Sequence, residues 1–346
     1  MSALTKIIQR NAAGNTRFGS HFIMDFWRCP TRWFNRYIRP HPTKAGVGCV
    51  PAKLSKPLHI GSLFHIGMEN YYLSGWKDGK YDIDKAIQAA EQAHLERRKD
   101  MESADEADAS WIQTKRLLQR YAEHWGPGGS HCEYPELSIA SDANGLPLLE
   151  REFEIDLDFN DYVFTCKPDA IIWYGGALAV LEHKTTAASR LSRVFDEMNM
   201  SIQTTGEWFV LKSLFPDEPI HSIVISAAVK DRSAKALKEG SLEFERRSFA
   251  RSATDLYKFK RDVIDTLVEM DQCVEVYNEE LSAGKTVDEA ARRAFAMHRT
   301  SCVDGFYKCD YYAPCSALGR ESQMFLSGYK PRSVERQYEE PANEDS

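Results

Sequence analysis

Residues 161–186 read DYVFTCKPDAIIWYGGALAVLEHKTT. Apolar, β-rich runs stand on either side of Gly175-Gly176, a pair that signals a two-residue hairpin turn. Side chains alternate along a strand, so Glu182 and Lys184 point to one face and His183 to the other. If the hairpin closes, Asp169 comes near Glu182, and two carboxylates and a lysine converge. Carboxylate oxygens suit a hard divalent ion such as Mg2+ or Mn2+. Such an ion activates a water and polarises a phosphodiester. Lys184 can orient the water or stabilise charge on the scissile phosphate. A solvated sheet face with cross-strand ion pairs is the plainer alternative. The flanks speak against it: Phe164, Ala170 to Trp173 and Leu178 to Leu181 are apolar, as buried strands are, and carboxylates set into buried strands need a partner.

Outward from this hairpin, the chain separates by composition. Upstream, residues 17–40, Gly61 to Trp76, 84–99 and 108–125 read as helices, closed by GPGG at Gly126 to Gly129. YPELSIA and LEREFEIDLDF read as short β-like segments. Downstream, a helix from about Ser189 to Phe215, strands HSIVISAAVK and LEFERRSF, and helices over 252–281 and 286–298 are expected. The fold class is therefore α/β, a central sheet flanked by helices with helical N- and C-terminal parts. An N-terminal extension (1–16), one domain (17–316) and a disordered acidic tail (317–346) are expected.

The 346 residues suffice for a full core without disulfides, and 43% hydrophobic with 27% charged residues excludes fibrous and wholly disordered classes. The apolar stretch around Ile220 to Val229 is too short to span a membrane. The N-terminus has no apolar signal region, so a cytoplasmic protein is expected (in the host cytoplasm if phage-encoded). A net charge of −7 leaves no global basic field for nucleic acid. Local patches remain at Arg28 to Arg39, Lys230 to Lys238 and Arg246 to Arg251, and aromatics such as Trp33 could stack on unpaired bases. No phosphate-binding Gly-x-x-x-x-Gly-Lys-Ser/Thr loop is present.

Pro168-Asp169, twelve residues, then Glu182-x-Lys184 resembles the PD-(D/E)xK nuclease signature. Gly61-Ser-Leu-Phe-His65 upstream and Gln203 downstream are similar to the RecB-like branch, which includes CRISPR-associated and AddB-type exonucleases. The branch usually has Gln-x-x-x-Tyr; here the aromatic, Trp208, falls one position late. The resemblance covers about residues 17–316. It implies a restriction-endonuclease-like mixed sheet, with Asp169, Glu182, His65 and the main-chain carbonyl of His183 as Mg2+ or Mn2+ ligands. It also implies that Lys184 is catalytic and that Gln203 orients DNA or the water. The His183 ring, on the opposite face, is expected to be structural.

Of eight cysteines, Cys49, Cys132, Cys166 and Cys273 are scattered and are expected to be small buried apolar residues. Cys302, Cys309 and Cys315 crowd into one turn-rich segment, and Cys29 precedes Pro30 in an aromatic, basic stretch. The same branch contains members with one N-terminal and three C-terminal cysteines around an iron–sulfur staple. The resemblance implies a 4Fe–4S cluster on Cys29, Cys302, Cys309 and Cys315, joining the helical N- and C-terminal parts. Cys302 to Cys309 is one spacer of six residues, longer than usual in the branch. Zinc on His298 and the C-terminal trio competes, and so do free thiols.

The expected activity is a metal-dependent DNA exonuclease acting at ends or in single strands, in recombination, repair or phage DNA metabolism. Recombination or replication proteins are the expected partners. A structure-specific endonuclease and a non-catalytic metal-stapled DNA-binding module are the alternatives.

Overall fold

A computed structural model describes residues 16–132, 137–231, 243–304, 307–317 and 321–332. Lys235, Lys238 and the acidic end of the chain lie outside the described residues. In chain order the elements begin with β1 (Thr16–Gly19), α1 (Ser20–Arg28), α2 (Pro30–Tyr37) and β2 (Cys49–Pro51). Then come α3 (Lys56–Gly75), α4 (Ile83–Arg97), α5 (Ala104–Trp125), β3 (Leu137–Ile139), β4 (Phe153–Asp156), β5 (Tyr162–Cys166), β6 (Ala170–Tyr174) and β7 (Ala177–Ala187). They are followed by α6 (Leu191–Asn199), α7 (Ile202–Leu214), β8 (Ile220–Asp231), β9 (Phe244–Phe249), α8 (Ala253–Ser282) and α9 (Val287–Ala294). The C-terminal elements are β10 (Val303–Asp304), β11 (Tyr307–Lys308), α10 (Tyr312–Ser316), α11 (Glu321–Gly328) and β12 (Tyr329–Pro331). The described residues fall into two compact units, one drawn from 54–155 and 165–260, the other from 16–53, 156–164 and 261–332.

The first unit holds the five-stranded sheet, in the order β3-β6-β7-β8-β9. It is mixed: β7 and β8 run parallel and the other pairs antiparallel. Alternation sorts the hydrophobic residues onto two faces. Ala170, Ile172, Ala179 and Leu181 pack with Phe64, Met68, Tyr72, Leu118 and Tyr121 of α3 and α5. Ile171, Leu178 and Val180 pack with Phe195, Trp208 and Leu211 of α6 and α7. This is the central sheet flanked by helices that a restriction-endonuclease-like fold requires.

In the second unit Trp33 and Phe34 are fully buried, and Phe34 stacks on Phe295 at 4.7 Å. Arg32 and Arg39 are buried too, paired with Asp25 and Asp288 at 2.7 Å each. The interleaved aromatic and basic segment therefore builds a core. Trp33 is not available to stack on bases, and these two arginines are already engaged.

Several boundaries differ from the sequence expectation. Residues 17–40 are a strand and two helices, because Pro30 cannot continue α1 and Cys29 before it is extended (φ −171°). The helix expected over Ser189 to Phe215 is broken at Met200-Ser201, where the Ser201 hydroxyl caps α7 by accepting from the Gln203 N–H. The helix expected to reach 298 ends at Ala294. The tail expected from 317 is partly structured: β12 pairs with β2, and Phe325 of α11 is fully buried beside Cys49 and Tyr311. Cys132, expected to be buried, is exposed. Among the described residues no helix is long and apolar enough to cross a membrane.

Candidate active site

Gly175 and Gly176 both take positive φ (58° and 83°), the left-handed pair a two-residue turn needs. The hairpin pairs Tyr174 with Ala177 and runs back to Ala170 with Leu181. Asp169 is the residue before β6, one step beyond the last registered pair, where Glu182 is the next residue of β7. The segment read from the sequence as one strand, 161–174, is two: β5 ends at Cys166 and β6 begins at Ala170, so Pro168 and Asp169 lie in the connection between them. Helix α3 brings His65 to the same place: its Nδ1 lies 2.8 Å from Asp169 Oδ1. The backbone N–H of His183 donates to Asp169 Oδ2 at 2.5 Å.

Glu182, Lys184 and Gln203 form a second, contiguous group. Lys184 Nζ donates to Glu182 Oε1 at 2.5 Å and to Gln203 Oε1 at 3.3 Å. Gln203 Nε2 donates to Glu182 Oε1 at 2.7 Å and to Glu207 Oε1 at 2.9 Å. The second oxygens of Glu182 and Glu207 are buried without a hydrogen-bond partner. A buried, unpartnered carboxylate oxygen is costly in a closed core and expected where a cation or polar ligand belongs.

The His183 ring occupies the opposite face, as alternation requires, stacked on Tyr72 at 5.8 Å and edge-on to Phe64 and Tyr121. Neither of its nitrogens has a partner, and burial pulls its pKa down to about 3. It is a neutral packing ring.

One acidic residue was not singled out by the sequence. Glu150 sits in a left-handed conformation (φ 46°), and its N–H donates to the Asp169 carbonyl at 3.0 Å. Its Oε1 lies 3.9 Å from His65 Nδ1 and its Oε2 is 2.9 Å from Lys167 Nζ. Donor atoms of His65, Glu150 and Asp169 all lie within 4.8 Å of one another, the only such set of three among the described residues. Oxygen and imidazole donors at that spacing fit a divalent cation, with Mn2+ favoured by the imidazole. Glu150 stands among three glutamates in LEREFE, and nothing in that run distinguishes it.

The electrostatics follow from this packing. Burial opposes charge on His65, but the Asp169 carboxylate outweighs it and lifts the imidazole to about 9. Burial likewise opposes ionisation of Asp169, yet His65 holds it below the usual carboxylate range. Burial and then Asp169 push Glu150 up to about 7. Glu182 is raised by burial and by Asp169, and Glu207 well above its ordinary value by burial and by Glu182. Lys184 loses hydration on burial but is raised on balance, first by Glu182. A cation among these carboxylates would relieve their mutual repulsion.

The four cysteines of the expected cluster line one cavity of about 10 Å³, with Arg28, Arg32, His298 and Tyr311. Cys29 is held at the α1–α2 break, and Cys302 and Cys309 face each other across the β10–β11 hairpin, the Cys309 N–H donating to the Cys302 carbonyl at 2.9 Å. Arg32 Nη1 donates to Cys309 Sγ at 3.5 Å and the His298 N–H to Cys29 Sγ at 3.4 Å. Donors aimed at sulfur suit thiolates. Burial, then the neighbouring Cys29, Cys309 and Cys302, push the Cys315 thiol up to about 12. The ring of His298, the alternative zinc ligand, has its Nδ1 3.2 Å from the Arg28 carbonyl.

A family model described as the PD-(D/E)XK nuclease superfamily matches residues 23–315. No curated protein matches the chain in sequence. Among solved structures, a provisionally named exonuclease of Eubacterium rectale aligns with a TM-score of 0.41 at 11% identity, over 73% of this chain and 79% of that one.

Proposed function

Since the chain belongs to the PD-(D/E)XK nuclease superfamily, we propose that it is a metal-dependent deoxyribonuclease of the RecB-like branch, working as an exonuclease on DNA ends or single strands. The observation that carries this reading is the meeting of two groups around one hairpin: the cation-binding set His65, Glu150 and Asp169, and the Glu182–Lys184–Gln203 set. A bound Mg2+ or Mn2+ would supply Lewis-acid activation of water and neutralise charge on the phosphodiester.

The protein's own residues do the rest. His65, Glu150 and Asp169 would hold the cation, and Glu182, whose Oε2 is unpartnered, is the carboxylate that would join them. Lys184 carries a full positive charge in a site mostly shut off from solvent, where it stabilises charge growing on the phosphate more strongly than it could in water. Gln203 holds Lys184 and Glu182 in register and can present its amide to the attacking water. The His183 N–H fixes the Asp169 carboxylate.

The exonucleolytic mode, and a role in recombination, repair or phage DNA metabolism beside recombination or replication proteins in the cytoplasm, rest on the resemblance of His65, Asp169, Glu182, Lys184 and Gln203 to the RecB-like branch. The same resemblance supports a 4Fe–4S cluster on Cys29, Cys302, Cys309 and Cys315. The cluster would act as a staple, since hydrolysis moves no electron.

The test is digestion of end-labelled linear DNA and of single- and double-stranded circles with Mg2+, Mn2+ or EDTA, using anaerobically purified protein. Metal-dependent release of nucleotides from linear DNA with circles left intact is expected. Cut circles would assign an endonuclease, and DNA binding without cleavage by any cation would assign a non-catalytic module.

A further inference from the structure

We infer that Glu207 is a positioning residue for the amide of Gln203; this rests on the nuclease reading of the Glu182–Lys184–Gln203 group. Glu207 occupies the fourth position after Gln203, where the branch pattern carries tyrosine, and the aromatic is displaced to Trp208. Residues four apart lie on one face of a helix, one above the other. Trp208 consequently packs into the core against the sheet, while Glu207 comes to the side of Gln203.

The amide of Gln203 has two N–H hydrogens and one oxygen. Its nitrogen lies 2.7 Å from Glu182 Oε1 and 2.9 Å from Glu207 Oε1, and its oxygen 3.3 Å from Lys184 Nζ. All of its capacity on the nitrogen side is used by two carboxyl groups. A flipped amide would set its carbonyl oxygen against Glu182 Oε1 and its N–H groups against Lys184, and would give up the bond to Glu207 Oε1.

The consequence appears when Glu182 engages a cation. Glu182 Oε1 accepts from both Lys184 and Gln203 in the structure, and coordination would draw on that oxygen or turn the carboxylate. Glu207 is not among the cation-binding donors. Its bond to Gln203 survives the rearrangement, and with it the second anchor of Lys184. Glu207 is 2% exposed and its Oε2 has no hydrogen-bond partner. Packing alone would be better served by an apolar side chain there, so the polar atom facing Gln203 is what the position retains.

The experiment compares full-length wild type, E207Q, E207M, Q203A and E207M/Q203A. Glutamine and methionine are close in shape, and only glutamine can accept the Gln203 N–H. On linear DNA at saturating Mn2+, E207M is expected to lose roughly 10- to 100-fold in kcat with KM for DNA little changed. Q203A should lose a similar factor, the double variant no more than the larger single loss, and E207Q should recover most of the rate. E207M should unfold no earlier than wild type on heating, which separates positioning from support of the fold. A wild-type rate in E207M, or losses that multiply fully in the double variant, would overturn the inference. If wild type cuts no DNA with any cation, the nuclease reading fails instead. The metal-free proteins then decide the inference by thermal unfolding: midpoint shifts of E207M and Q203A that fail to add support the clamp, and strictly additive shifts refute it.

Discussion

Replacing His65 with glutamine should flatten the pH dependence of the metal-free protein's stability between pH 6.5 and about 9. Burial alone would strip the proton from this imidazole, but Asp169 at 2.8 Å reverses the balance and raises its pKa from 6.5 to about 9. A group whose pKa is raised on folding stabilises the fold fully below its unfolded value and loses that contribution as pH rises through the folded value. The stabilisation is therefore complete below pH 6.5 and gone above about 9. At about 1.4 kcal/mol per pH unit the gap corresponds to about 3 kcal/mol. Water reaches 29% of the His65 side chain, and the screening this brings lowers the expectation to about 2 kcal/mol. Glutamine can still donate a hydrogen bond to Asp169 but does not titrate. Urea unfolding in EDTA, followed by tryptophan fluorescence across this range, should show wild type losing about 2 kcal/mol relative to H65Q. Glu150 titrates in both proteins and largely cancels in the difference. Parallel curves for the two proteins would refute the ion-pair reasoning. The same linkage requires a cation to displace the His65 proton, so apparent Mn2+ affinity should climb with pH until about 9.

D169A, E182A and K184A should each lower cleavage by roughly 100-fold or more while circular dichroism stays that of wild type, because the set acts as a unit; a folded E182A with near-normal rate would remove the site. E150Q should raise the Mn2+ concentration needed for half-maximal rate roughly 10- to 100-fold and spare more of the rate at saturation; an unchanged metal titration would return Glu150 to a purely structural role. H183F removes two unpartnered nitrogens from an aromatic box, and should keep activity and unfold no earlier than wild type; loss of cleavage in a stable H183F protein would contradict the ring's packing role. C29S and C309S should bleach a brown protein equally and release about four irons per chain, with C132S unaffected; a colourless protein with one zinc that depends on His298 and not on Cys29 would give the site to zinc.

The hairpin shows how far the sequence alone reaches. Gly175-Gly176 and period-two alternation decide which residues share a face, and that is local geometry. Asp169, Glu182 and Lys184 on one side, and the His183 ring on the other, were legible for this reason. So was the gathering of Cys29 with Cys302, Cys309 and Cys315, although only by resemblance, since nothing in the chain's local chemistry brings residues so distant in sequence together. The break at Cys29-Pro30 could have been read from the proline, whereas the one at Met200-Ser201 depends on a serine cap that competes with helix continuation. The basic and aromatic residues of 28–39 looked like a surface for nucleic acid because a sequence shows charge but not its partners; Asp25 and Asp288 arrive only with folding. Glu150 and Glu207 were invisible for the same reason. A left-handed turn beside Asp169 brings one glutamate of three next to His65 and Asp169, and helix α7 sets Glu207 within hydrogen-bond reach of the Gln203 amide. Alternation along a strand is a property of the chain; which carboxylate meets which imidazole across strand, turn and helix is decided by tertiary packing.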